Sequence, residues 1–284
     1  MKTLILMSLL TTSIAFAGTT GTKVIYGDDN REDVMNSTNN MYVELSKSTA
    51  GMISKYNLSN NGDGTVSVKG STLQSRGMCA SERFAQQTTA ANCSGFLVGE
   101  DLLVTAGHCI ENMSDCRKYQ WVFDYKMSAN TTGHVSVPES SVYSCKKVIN
   151  SVLSRSTMND FALIQLERKV TDRRVLDYRR SGQVSVGEDL VVIGHPSGLP
   201  TKIADGATVK SLSGKYFSAN LDTYGGNSGS AVFNANTGLI EGILVRGATD
   251  YVYDSRQGCR VSNVLRQNEG SGEDVTFITN IPQL

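Results

Sequence analysis

Residues 93–109 read CSGFLVGEDLLVTAGHC, and the fold turns on how this stretch is read. FLVG and LLVTAG are short apolar runs too brief for helices, and Gly-Glu-Asp between them is a turn signal. The stretch therefore reads as two strands joined by a tight turn, with His108 just past the second strand and a cysteine at each end.

The same pattern extends along the chain. TVSVKG, KYQWVFDYKM, HVSVP, DFALIQLE, EDLVVIGHP, AVF, GLIEGILVRG, YVYD and VTFITNI are rich in β-branched, aliphatic and aromatic residues and bounded by Gly, Asn, Asp or Ser. The class is all-β. Helical periodicity is weak: residues 41–56 are expected to form a helix and residues 109–113 a short helical turn. Residues 168–181 are charged and poor in strand signal, which suits a surface connection between two β lobes with a solvated basic face.

Composition bounds the function. With 284 residues, 39% hydrophobic and 19% charged, the chain can bury one large or two small cores. Lys+Arg and Asp+Glu both number 27, and no long basic run offers a footprint for a phosphate backbone, so a nucleic-acid partner is not expected. Residues 1–17, MKTLILMSLLTTSIAFA, carry one lysine, a short apolar stretch and Ala-Phe-Ala, the form of a secretory signal peptide. No later segment is long enough to span a membrane, so a secreted, extracellular or periplasmic protein is expected, acting as a monomer.

Export makes disulfides the default for the six cysteines at 79, 93, 109, 116, 145 and 259. No CxxC pair exists, and a structural zinc site is not expected. NNGDGT at 60–65 lacks the spacing of a calcium loop and reads as a β-turn. Trp121 and its aromatic neighbours read as core. N-x-S/T sequons at Asn36, Asn57, Asn112 and Asn130 matter only if the source glycosylates.

YGGNSGSA, residues 224–231, holds Ser228 between glycines, and taken alone it favours a turn over a nucleophile. A nucleophilic serine needs a base, a carboxylate to orient that base, and N–H donors for the oxyanion. Only three histidines exist: His108 at a strand end, His134 in a polar run and His195 in the turn GHPSG. Asp160 immediately precedes an apolar strand.

CSGFLVGEDLLVTAGHC, NDFALIQL and GGNSGSAVF, in this order and at these separations, resemble the histidine, aspartate and serine blocks of the chymotrypsin-like serine peptidases. Within them the bacterial glutamyl endopeptidase, or V8-like, branch is the most similar. The resemblance runs from about Val24 to the C-terminus and implies two packed six-stranded antiparallel β-barrels with the site between them, lobes of residues 24–167 and 168–284. It implies His108 as base and then acid, Asp160 as its orienting carboxylate, Ser228 as nucleophile, the amides of Gly226 and Ser228 as oxyanion hole, and a Cys93–Cys109 disulfide. The other four cysteines leave three connectivities open. It implies polypeptide substrates and no cofactor or metal. His195 and His134 become structural.

The resemblance also bears on activation and specificity. VIYGDDNREDV from Val24 resembles the mature start of the V8-like branch, so residues 18–23 read as a short propeptide of a zymogen. Asn227 stands where trypsin-like zymogens carry an aspartate, so the usual pairing of that aspartate with the new amine is not expected. Leu244 stands where the V8-like branch has its histidine for acidic P1 side chains, while Thr223 matches the branch's pocket threonine. Asp222 stands at the trypsin-like offset for a basic P1. Arg246 is read as a partner for Asp222 or as a rim cation. A basic P1 is expected over an acidic one. The rival expectation is a catalytically silent homologue that binds a ligand.

Overall fold

In a computed structural model, residues 24–131 and 133–284 are described. The expected signal peptide and propeptide, residues 1–23, lie outside them. Six antiparallel strands close the first barrel: β1 (Thr49–Ser54), β2 (Ala91–Gly99), β3 (Leu102–Thr105), β4 (Tyr119–Phe123), β5 (Val142–Leu153) and β6 (Asp160–Leu166). Around the barrel the order is β4-β5-β6-β3-β2-β1. The second barrel uses β7 (Asp189–Gly194), β8 (Lys202–Ser213), β9 (Tyr216–Ala219), β10 (Ala231–Asn234), β11 (Ile240–Arg246) and β12 (Glu273–Phe277). Its order is β7-β10-β11-β12-β9-β8, closed by β7 on β8. Closure leaves no open sheet edge inside either barrel.

The two expected strands of residues 93–109 are β2 and β3, paired Phe96 to Val104 and Leu97 to Leu103. Trp121 is fully buried among them, as are Phe96, Leu103 and Phe161. Asn60–Thr65 is the turn of a hairpin, with Gly62 and Gly64 in left-handed conformations and Asp63 accepting from the Thr65 amide.

Residues 41–56 depart from expectation. The helix α1 (Asn40–Ser46), capped by the Asn39 side chain, stops after seven residues and the chain becomes β1. A fully buried apolar run cannot be assigned to helix or strand by periodicity alone. Here β1 pairs on both sides, with β2 and β4, and Gly51 packs against Ala91 and His195 where a larger residue would crowd. The helical turn expected at 109–113 is a 3-10 turn over Gly107–Cys109 followed by α2 (Met113–Lys118). The connection between barrels is not wholly solvated: Arg173 is 4% exposed, lies over Phe123 and bonds Asp124 and Asp172.

Residues 25–33 join the second barrel's side. Ile25–Tyr26 pairs in parallel with Val264–Leu265, and Arg31–Asp33 adds an edge strand to β8. Three disulfides fix the chain: Cys93–Cys109, Cys116–Cys145 and Cys79–Cys259, the last joining segments 180 residues apart. Among the described residues no helix is long and apolar enough to cross a membrane.

Candidate active site

His108 leaves the first barrel at a sharp corner. Strand β3 is buried to Thr105, and the following 3-10 turn keeps Gly107 and Cys109 inside while turning His108 outward. Position 107 must be glycine, since a Cβ there would come within 2.1 Å of the Val152 carbonyl oxygen. Asp160 opens β6 and is 1% exposed. Its Oδ1 accepts the His108 backbone N–H at 3.1 Å, and its Oδ2 lies 2.8 Å from His108 Nδ1. A carboxylate only accepts, so this bond puts the proton on Nδ1 and leaves Nε2 with its lone pair.

Ser228 comes from the loop that leads into β10. The turn is held by Asn227 N–H to Tyr224 O at 2.9 Å and Ser230 N–H to Asn227 O at 2.8 Å. Gly226 and Gly229 have φ of 97° and 86°, a region that glycine enters at little cost. A Cβ at Gly226 would sit 2.5 Å from His195 O, and one at Gly229 would sit 2.2 Å from Ser94 O. The first barrel grips this loop through Ser94, whose N–H donates to Ser228 O at 2.8 Å and whose Oγ donates to Gly226 O at 2.9 Å. His195 N–H donates to the same Oγ at 3.0 Å.

His108, Asp160 and Ser228 line one cleft of about 430 Å³, together with Val245, Arg246 and Asp250. A second cavity of about 450 Å³ lies beyond Gly225 and Gly226 and is lined by Arg76, Asn92 and Ser197 among others. Gly225 borders both, so an extended chain crossing the serine loop has room on either side.

The expected specificity residues are placed differently. Asp222 does not face the cleft: it is 4% exposed and its carboxylate accepts the amides of Tyr26 at 2.8 Å and Asn30 at 2.9 Å. Burial pushes its pKa up to about 6, against the pull of those two donors. Leu244 is fully buried in the core of the second barrel. Thr223 is also buried; its Oγ1 donates to Glu273 at 2.6 Å and its N–H to Val24 O at 3.3 Å. Arg246 does line the cleft but does not reach Asp222; its Nε donates to Asp274 at 3.1 Å. Asp274 is pushed upward by burial, with Arg246 opposing.

Sequence reasoning missed Ser94, Asp250, Glu273 and Asp274. Glu273-Asp274 opens a strand with an adjacent acidic pair, a signal that polar residues there are used. Alternation in β12 sends the two carboxylates to opposite faces.

His195 is fully buried, with Nδ1 3.0 Å from Leu199 O, and burial pushes it down to about 4. His134 is exposed, its Nδ1 3.4 Å from Thr88 Oγ1. Asn227 is 2% exposed and accepts from Ser230 Oγ. The cluster of metal-ligating residue types among the described residues is Cys93, His108 and Cys109, and there the cysteines are joined in a disulfide and offer no thiolate.

A model of the trypsin-like peptidase domain matches residues 93–243, just over half of the chain. Among solved structures, the VesB protease of Vibrio cholerae is similar at 13% identity and a TM-score of 0.51, over 88% of this chain and 64% of its own length. A Glu endopeptidase in complex with MPD is similar at 15% identity and a TM-score of 0.48, covering 84% of this chain and 94% of that one. A protease of M. tuberculosis in its active form gives 14% and 0.48, over 94% and 90%. At 13% identity, the likeness to the VesB protease speaks for the fold alone.

Proposed function

Because the chain belongs to the trypsin-like peptidase domain family, we propose that it is a serine-type endopeptidase that hydrolyses polypeptides through an acyl-enzyme. The observation that carries this reading is the pair of bonds from His108 to the buried Asp160 carboxylate, at the edge of the cleft that Ser228 also lines. Ser228 Oγ attacks the scissile carbonyl and passes its proton to His108 Nε2. Asp160 holds the ring and stabilises the imidazolium that forms. The amides of Gly226 and Ser228 receive the oxyanion. His108 then protonates the leaving amine, and water repeats the sequence to release the acyl group.

A basic P1 is the preferred specificity. With Asp222 turned to Tyr26 and Asn30, support for it comes from Asp250; Glu273 is wholly buried and does not line the cleft. Glu273 packs against the backbone of Gly247, next to the cleft residue Arg246, and bonds Thr223 Oγ1 and the Ala248 amide. Asp250 lines the cleft itself. Cleavage after Lys23 would then be self-processing, and the chain a secreted zymogen of the V8-like branch. Its three disulfides are consistent with an oxidising compartment. Arg155 and Arg246 on the same cleft favour the second reading, an acidic P1.

A fluorophosphonate probe should label the processed protein and fail on Ser228→Ala. Absence of labelling, or labelling that survives the substitution, favours the silent ligand-binding homologue. A P1-scanning peptide library decides between the specificities: Lys and Arg are expected, weakened in Asp250→Asn, and a strong preference for Glu overturns the basic reading.

A further inference from the structure

Arg246 ends β11 on the second barrel, yet most of its guanidinium is spent on the first. A shift of register between Leu244 and Arg246 sets it opposite Asp274, to which Nε donates at 3.1 Å. Nη2 donates to Met158 O at 3.0 Å, and Nη1 lies 3.8 Å from Asp160 Oδ2, the oxygen that His108 Nδ1 approaches at 2.8 Å.

Met158 has a φ of 59°, a left-handed conformation that costs a side chain with a Cβ about 1 kcal/mol or more and persists where its surroundings impose it. Asn159 is held from the same side, its Oδ1 accepting from Asn280 Nδ2 at 3.1 Å. Both residues leading into Asp160 are therefore fastened by groups of the other lobe.

We propose that Arg246 is a positioning residue of the triad, fixing the approach to Asp160 from the second barrel and sharing its carboxylate with His108. This rests on the peptidase reading above. A cation beyond Asp160 and a protonated imidazole compete for the one carboxylate they share. Asp274, from β12, tempers that cation at close range, and Arg155 and Asp250 face the same cleft. Removing Arg246 also leaves the Asp274 carboxylate without its guanidinium, which likewise favours the protonated imidazole.

The test is the pH dependence of kcat/KM for the processed enzyme and its variants. In Arg246→Gln the acidic limb should move up by roughly half to one pH unit, as expected for loss of one nearby cation at a partly solvated site. The fall should lie in kcat rather than KM. Arg246→Lys should restore the limb, and recover kcat only in part because the bond to Met158 is not replaced. In Asp274→Asn the limb should move down. An unmoved limb in Arg246→Gln, or a loss carried by KM, overturns the proposal; if that variant does not fold, an unmoved limb in Asp274→Asn does so. Following the His108 ring by NMR in a Ser228→Ala background reads the same displacement without turnover. An inactive wild type thus removes the peptidase reading while leaving this inference still decided by the ring.

Discussion

Asp222 and His195 are both buried, and through the acid range they pull stability in opposite directions. Asp222 is raised from 3.8 to about 6, so the fold prefers its protonated form. Its contribution is complete below the unfolded value and is lost as pH rises through 6. His195 is lowered from 6.5 to about 4, so its contribution is present above 6.5 and is lost as pH falls toward 4. Each factor of ten in proton affinity corresponds to about 1.4 kcal/mol, which makes each effect about 3 kcal/mol. Between pH 4 and 6 the two nearly cancel in the wild type.

Asp222→Asn should expose the hidden slope. The amide oxygen still accepts from Tyr26, the titration is gone, and His195 alone then costs the fold about 3 kcal/mol on acidification from pH 6.5 to 4. His195→Asn, whose side-chain amide can still donate to Leu199 O, should show the reverse, a gain of similar size. Urea midpoints at half-unit intervals of pH, in a Ser228→Ala background to prevent self-digestion, read both. If Asp222→Asn runs parallel to the wild type across this range, Asp222 does not titrate where its burial puts it and the reasoning fails.

Gly226→Ala should lower kcat by about a hundredfold to a thousandfold, the range for loss of one oxyanion donor, with little change in KM. The cause is a Cβ forced toward His195 O at a φ of 97°, and a kcat within a factor of three of wild type would contradict the tight fit. Replacing Cys79 and Cys259 together by serine should cost about 2 to 5 kcal/mol, since the bond closes a loop of 180 residues. An unchanged melting temperature would show that this tether does not limit unfolding.

The sequence made the barrels legible wherever a strand alternates or runs apolar between turn residues, as in β2, β3, β6 and β11. It failed where neighbours decide. Strand β8, KIADGATVKSLS, is too polar to announce itself, and β1 shares its apolar character with a helix. The three residues proposed as the triad stood out in the sequence because their blocks carry local signals: a glycine before the histidine, a turn before the aspartate, glycines around the serine. Specificity did not. Asp222 occupies the expected offset, but its partners Tyr26 and Asn30 lie 196 and 192 residues away. Nothing local distinguishes a carboxylate that will meet backbone amides from one that will meet a substrate. Arg246 likewise looked like a rim charge because Met158 and Asp274 are distant in sequence.

The pairing of residues 25–33 with the second barrel bears on how the molecule is made. These residues leave the ribosome ahead of every strand of the first barrel, while their partners at 202–204, 222 and 264–265 come late. The first barrel can close on its own while this leading segment waits, its backbone donors still answered by water. Long-range closure of this kind is slow and comes last. The fold thus stays incomplete until residues 264–265 have been delivered. A nascent protein interrupted before Val264 would lack both the last of the partners that dock the leading segment and Asn280, which fastens the approach to Asp160.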